Sequence, residues 1–380
     1  MELLLVGPPA IQSALIGVAA SPTVKRFAYP LTYHRQFDTM QSGLAWRDGM
    51  QFDKLKRREF ISMLGGAAAA WPLAARAQQA GKVPRIGFLG MASPSTFALR
   101  LEAFRLGLRD FGYIEGTTVN VEYRWAEGRY ERLPGLAAEL IRSKVDLIVT
   151  HGTPGSLAAK RATTTIPIVM ASIGDPVAVG IITKLARPGG NITGQTFFNP
   201  ELRAKRIELL KEVMPRLSRV AVILNADNPA TGPEFQAMET TAQSLNVKLL
   251  PFRLQTSSEL VSAFESMEQA SVEAVETGDD PLSFGNVGAI VALAARGRLL
   301  TIGPEDVARA GGTMGYGVDF VATFRHAASF VDRILKGANP ADLPIERASK
   351  FQFILNLKAA KALGLDVPTA TLLRADEVIE

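Results

Sequence analysis

At six places an apolar run ends in a small or polar residue followed at once by proline: Ser93-Pro94, Thr153-Pro154, Asp175-Pro176, Asn228-Pro229, Asp280-Pro281 and Gly303-Pro304. Proline disfavours helical geometry in the residue before it and suits the first helical position, where its missing N–H costs nothing. Each junction therefore reads as strand, cap, helix start, with free backbone N–H groups and a positive dipole end exposed there. Ser93, Thr153 and Asn228 offer hydroxyl or amide contacts at these points, suited to an anionic group such as a carboxylate. Asp175, Asp280, Glu305 and Asp319 supply acceptors for an ammonium. For Ser93, Thr153, Asp175, Asn228 and Asp280 plain N-capping, at about 1 kcal/mol each, explains the residue type as well. Capping does not exclude ligand contact. Phe197, Phe198 and Tyr316 sit near the expected lobe crossings, where they either clamp an apolar or aromatic part of a ligand or pack a hinge.

Reactive groups are scarce. After residue 77 only His151 and His326 remain, the second on the face of an expected helix. His151 follows a strand end beside Gly152-Thr153-Pro154 and faces the expected cleft, where a lone histidine is more often a contact than a base. Residues 87–92 lack the glycine spacing of a dinucleotide fingerprint, and no Walker sequence, nucleophile elbow or zinc-protease motif occurs. Cysteine is absent, which removes thiol catalysis, thiolate metal sites and a lipidated cysteine anchor. No catalytic residue, metal or cofactor is expected.

The elements that position these residues alternate. Strands are expected at 85–90, 119–123, 146–150, 166–171 and 191–196, with helices between. A second round follows at 219–224, 247–254, 273–277 and 299–302, offset from the first by about 130 residues. Alternating βα units build parallel sheets with helices on both faces, so the fold class is α/β, two Rossmann-like lobes joined by a hinge. Beyond Gly311-Gly312 a strand at 314–318, a helix at 320–335 and an edge-like strand at 351–357 close the chain. Lobe 1 is expected to hold 83–198 and 316–342, and lobe 2 to hold 199–315 and 343–380, with hinges near Asn199, Tyr316 and Glu346.

Ahead of the lobes, Lys54-Leu55-Lys56-Arg57-Arg58-Glu59-Phe60 precedes a weakly apolar run at 61–75, and Ala75-Arg76-Ala77 gives a small-x-small cleavage signature. Residues 50–77 thus read as a twin-arginine-like signal peptide cleaved after Ala77, with Gln78 as the mature N-terminus. Residues 1–49 read as a mis-assigned or disordered extension, because such signals normally begin a chain. Of the 42 basic and 37 acidic residues, nine and five fall in residues 1–77, leaving a nearly neutral mature part with no nucleic-acid footprint.

Together these segments resemble the exported substrate-binding proteins of ABC transporters, of the type-I periplasmic-binding fold, in the branch with tryptophan-type binding proteins. The resemblance covers residues 54–380. It is carried by residues 56–60, by Tyr123-Arg124-Trp125-Ala126-Glu127-Gly128, by Ile166-Pro167-Ile168-Val169, by Gly174-Asp175-Pro176-Val177, by residues 185–194 and by Gly315-Tyr316-Gly317-Val318-Asp319-Phe320. Residues 276–281 depart from it, with extra acid and glycine where it implies a more apolar approach to a Ser- or Thr-rich loop. The resemblance implies a periplasmic monomer that closes two lobes on a small, amino-acid-like solute and delivers it to the membrane permease of an ABC transporter. Ligand would dock on Ser93, Thr153 and Asp175 of lobe 1 before lobe 2 closes with Asn228, Asp280 and Glu305. An exported enzyme using Asp175 or His151 as base, or a ligand-sensing module, stays open as an alternative.

Overall fold

Strand and helix alternate through residues 83–380, the part of the chain that this computed structural model describes; the expected leader and the extension before it lie outside the described residues. The strands are β1 (Arg85–Gly90), β2 (Asn120–Trp125), β3 (Leu147–Thr150), β4 (Ile168–Ile173), β5 (Ile192–Thr196), β6 (Arg219–Asn225) and β7 (Lys248–Leu254). They continue as β8 (Ala274–Thr277), β9 (Leu300–Gly303), β10 (Met314–Val318), β11 (Glu346–Arg347), β12 (Phe351–Asn356) and β13 (Glu377–Ile379). They form two sheets, ordered β11-β5-β4-β3-β1-β2 and β13-β12-β10-β9-β8-β6-β7. All pairings are parallel except β10 with β12. Read from one edge, the sheets share an order: β2-β1-β3-β4-β5 and β7-β6-β8-β9-β10. The internal repeat in the sequence is thus a repeat of topology.

Alternation along β1 explains the layering. Ile86 and Phe88 face Phe104, Leu108 and Phe330 of the helices Ala98–Asp110 and Phe320–Leu335, while Leu89 packs with Leu140 and Ala159 of the opposite layer. The two helices of the first layer touch at Gly107, where a Cβ would stand 2.2 Å from the carbonyl oxygen of Arg325. The second lobe repeats the plan. One layer packs Ile207, Leu210 and Met238 on Val220 and Val222, and the other packs Phe264, Met267 and Ile290 on Ala221 and Ile223.

Sheet membership moves two expected boundaries. All of β10, Tyr316 included, lies in the second sheet, so the chain crosses at Asp319 rather than before Tyr316. Glu346–Arg347 pairs with β5 in the first sheet, so the return crossing lies at 348–350 rather than at 342. Residues 351–357, expected at an edge, are covered by the short β13. The first crossing lies at Phe198 and Asn199. Phe198 there takes φ +50, a left-handed conformation that a bulky residue holds only when its surroundings fix it. The Arg347 guanidinium stacks 3.9 Å over its ring, and the Asp319 N–H donates to the Lys350 carbonyl at 3.1 Å, so the three crossings are tied side by side.

Candidate functional site

In a doubly wound sheet the strand order reverses between the first and third strands, and the loops leaving their C-terminal ends splay apart to leave a crevice. Here the two lobes bring two such crevices face to face. Loops after β1 and β3 supply Met91, His151, Gly152 and Thr153; loops after β6 and β8 supply Asn228, Asp279 and Asp280. Between them lies a cavity of about 30 Å³, room for a water or two, so the cleft is closed.

Its lobe 1 wall is aromatic. His151 stacks on Phe97 at 4.3 Å between ring centroids and accepts from the Met91 N–H through Nε2 at 3.3 Å. Complete burial, with Arg100 nearby, pushes its pKa down to about 3, so the ring is neutral and its proton sits on Nδ1. Gly152 takes φ +63, a conformation that favours glycine, and a Cβ there would displace the Met91 methyl, 2.2 Å away. Arg100 enters from the helix Ala98–Asp110, lies 4.3 Å over the Phe284 ring of lobe 2, and pairs with Asp306 of lobe 2 at 2.8 Å.

The lobe 2 wall is charged. Arg203, from the helix Asn199–Val213, donates to Glu276 through Nε at 3.0 Å and to Glu234 through Nη1 at 2.9 Å. Arg206, one helical turn on, reaches Glu276 at 3.2 Å and Asp279 at 2.8 Å. Both guanidiniums are at most 1% exposed. Burial alone would lower the Arg203 pKa, but Glu276 and Glu234 hold it well above the usual arginine value. Burial raises the Glu234 carboxyl against the pull of Arg203 and Asn199. Asn199 Oδ1 is buried at the cavity without a hydrogen-bond partner.

Asp280 joins the walls. Its Oδ1 accepts from the Asn225 amide at 2.9 Å and the Leu282 N–H at 2.8 Å, and its Oδ2 from the Asn228 amide at 2.9 Å and from the hydroxyl of Tyr130, in lobe 1, at 3.0 Å.

Of the eight candidate residues, Thr153, Asn228 and Asp280 line this cavity; Ser93, Asp175, Glu305, Tyr316 and Asp319 do not. The junction chemistry explains the split. The Ser93 hydroxyl accepts from the Thr96 N–H, Asp175 caps a turn through the Val177 and Ala178 N–H groups, and Asp319 caps the helix Phe320–Leu335 through Ala322. Glu305 pairs loosely with Arg309, and Tyr316 packs edge-on against Phe353 in the lobe 2 core. Thr153 is not a cap, because the helix Gly152–Ala162 begins one residue earlier with His151 in the capping position. Sequence reasoning missed Arg100, Asn199, Glu234 and Asp279. Each is a polar residue on a helix or loop whose burial comes from tertiary packing, and no local signal in the sequence marked it.

Among the described residues no helix is long and apolar enough to cross a membrane, and no cluster of side chains is arranged to hold a metal ion. A family model described as ABC transporter substrate binding protein matches residues 91–379. The chain is 24% identical over 285 residues to a protein named tyrosine-binding protein from Clostridioides difficile, covering 75% of this chain and 82% of that one. It is similar in structure to a Streptococcus pneumoniae ABC domain in complex with L-Trp, at 23% identity and TM-score 0.73, covering 78% of this chain and all of the other. A ligand-free, open substrate-binding protein from Clostridium difficile gives TM-score 0.57 at 22% identity, covering 78% of this chain and 99% of that one.

Proposed function

The chain belongs to the ABC transporter substrate-binding protein family, and from that premise we propose that its cleft receives a small amino-acid-like solute with an ammonium group and an aromatic or apolar part. The observation that carries this reading is charge. Four carboxylates, Glu234, Glu276, Asp279 and Asp280, stand at or directly behind the cavity, against only two guanidiniums, Arg203 and Arg206. Arg100 does not redress the excess, because Asp306 already answers it, and His151 is neutral. A buried excess of negative charge is costly unless a cation enters, and the unpartnered Asn199 Oδ1 is a ready acceptor for an ammonium N–H. The rings of Phe97, Phe284 and Phe320 supply the apolar surface. The names of the relatives that bind tyrosine and tryptophan fit the same combination.

In this reading Thr153, Asn228, Asp280, Glu234 and Asp279 contact solute, and the three crossings act as the hinge. The solute leaves unchanged for a membrane permease. An enzyme on this scaffold is disfavoured because His151, neutral and stacked, has no second titratable partner to activate a nucleophile. Export through residues 50–77 places the mature protein in the periplasm. A thermal-shift screen of amino acids, amines and carboxylic acids tests the reading: ammonium-bearing hits that raise the melting temperature and are recovered unchanged are expected, and hits confined to acids, or turnover of a hit, would defeat it.

A further inference from the structure

The closed cavity is smaller than the solute it is built to recognise. At about 30 Å³ it falls far below the roughly 300–1,000 Å³ of small-molecule sites. Between the same two lobes lies a second cavity of about 530 Å³, within that range. The same loops divide the two. Thr153 lines the inner cavity and Pro154 the outer; Asn228 lines the inner, and Asp227 and Pro229 the outer. The remaining shared wall is a hydrogen bond: Asp280 faces the inner cavity, and Tyr130, which donates to it, faces the outer.

The outer cavity is mainly apolar. Leu133, Pro134 and Ala138 line it from one lobe 1 helix, Leu157 and Ala158 from the next, and Pro229 from lobe 2. Its charged groups, Arg161 of lobe 1 and Asp227 of lobe 2, are exposed. A wholly apolar ligand would not need them, and a small zwitterion would not need the greasy walls.

We propose that Tyr130 is a gate that determines specificity: when its ring swings away from Asp280 the two cavities join, and the outer one takes the apolar tail of a solute whose ammonium is held at the inner. This rests on the ammonium reading of the cleft. The Tyr130 hydroxyl fills, in the closed protein, the place on Asp280 Oδ2 that an N–H of the solute takes when the gate opens. Asn225, Asn228 and the Leu282 N–H continue to hold the carboxylate meanwhile. The favoured solute is then an elongated amine or amino acid, larger than tyrosine.

Calorimetry with L-tyrosine, O-methyl-L-tyrosine and O-benzyl-L-tyrosine, which share one head group and differ in tail, tests this. The wild-type protein should bind the benzyl ether at least as tightly as tyrosine. Ala138→Trp, which fills the outer cavity, should weaken the benzyl ether by about tenfold or more beyond any loss it causes for tyrosine. Circular dichroism and the melting temperature establish that this variant folds, and Leu157→Trp, which fills the same cavity from the neighbouring helix, provides the same comparison if it does not. Tyrosine binding with the benzyl ether excluded, or tail-filling variants that treat both alike, would overturn the gate and leave the receptor reading intact. If none of the three probes binds, the aromatic-amine reading falls, and the gate falls with it.

Discussion

The Tyr130 hydroxyl of lobe 1 donates to Asp280 Oδ2 of lobe 2 at 3.0 Å, and both residues are less than 10% exposed. It is a buried, charge-assisted hydrogen bond between two bodies also linked by three crossings, by the Arg100–Asp306 ion pair and by the packing of Phe284 against Phe97, Arg100 and Phe320. Burial and the neighbouring carboxylate raise the Tyr130 pKa well above its ordinary value, so the hydroxyl stays protonated and can donate throughout the physiological range.

Tyr130→Phe keeps the ring and deletes the donor. A hydrogen bond to a charged group contributes about 1.5–3 kcal/mol, so the ligand-free protein should shift toward an open arrangement. Small-angle scattering should show a larger radius of gyration in the variant than in wild type. An unchanged radius would mean that the bond does not hold the lobes together.

Arg203 is shared by Glu234 and Glu276. Replacing it with Met leaves two buried carboxylates short of a partner, at a cost of about 3–5 kcal/mol. Urea unfolding should show that loss, and Arg203→Lys should recover little of it, because an ammonium cannot reproduce the two-pronged contact. A variant as stable as wild type would show that the network is not needed for folding.

Burial of His151 as a neutral ring makes the cleft sensitive to acid. Its folded pKa is about 3 against an ordinary 6.5, so between those values the unfolded chain binds more protons than the folded one. The contribution of this group is therefore fully present above pH 6.5 and is lost as pH falls toward 3, at about 1.4 kcal/mol per unit within the window. His151→Gln should flatten the decline in melting temperature between pH 6.5 and 4 relative to wild type. Parallel curves would place the acid sensitivity elsewhere.

The carboxylates separate into two groups by position. Asp175→Asn and Asp319→Asn keep their caps, since Asn caps about as well as Asp, and should melt and bind like wild type. Glu234→Gln and Asp279→Asn, at the cavity, should weaken an ammonium-bearing solute by an order of magnitude or more. The reverse pattern in calorimetry would move the site toward the residues that the junction motif alone suggests.

The proposed export signal lies outside the described residues. Replacing Arg57 and Arg58 by lysine should abolish delivery through a twin-arginine route, and N-terminal sequencing of the exported protein should begin at Gln78. Undiminished export of the double variant would point to another route.

What the sequence determined by itself was the βα alternation, the repeat and the family, because each rests on local periodicity and on short contiguous motifs. Residues 219–224 announce a buried strand whatever surrounds them, and the match of residues 91–379 to one family needs no coordinates. The proline junctions also marked real chain reversals, but they could not say which caps face the cleft. Asp175 and Asp280 have the same local chemistry, and both cap the chain that follows. Only Asp280 lies at a point where the strand order reverses, between β6 and β8, opposite Tyr130. Tertiary structure decided the rest for the same reason. Tyr130 and Asp280 are 150 residues apart, Arg203 and Glu276 are 73 apart, and the pairings that set the charge and the closure of the cleft come from the docking of whole elements. No run of neighbouring residues encodes a distance of that kind; it follows from the burial of apolar faces, which brings the charged ends of separate strands and helices into one water-poor space.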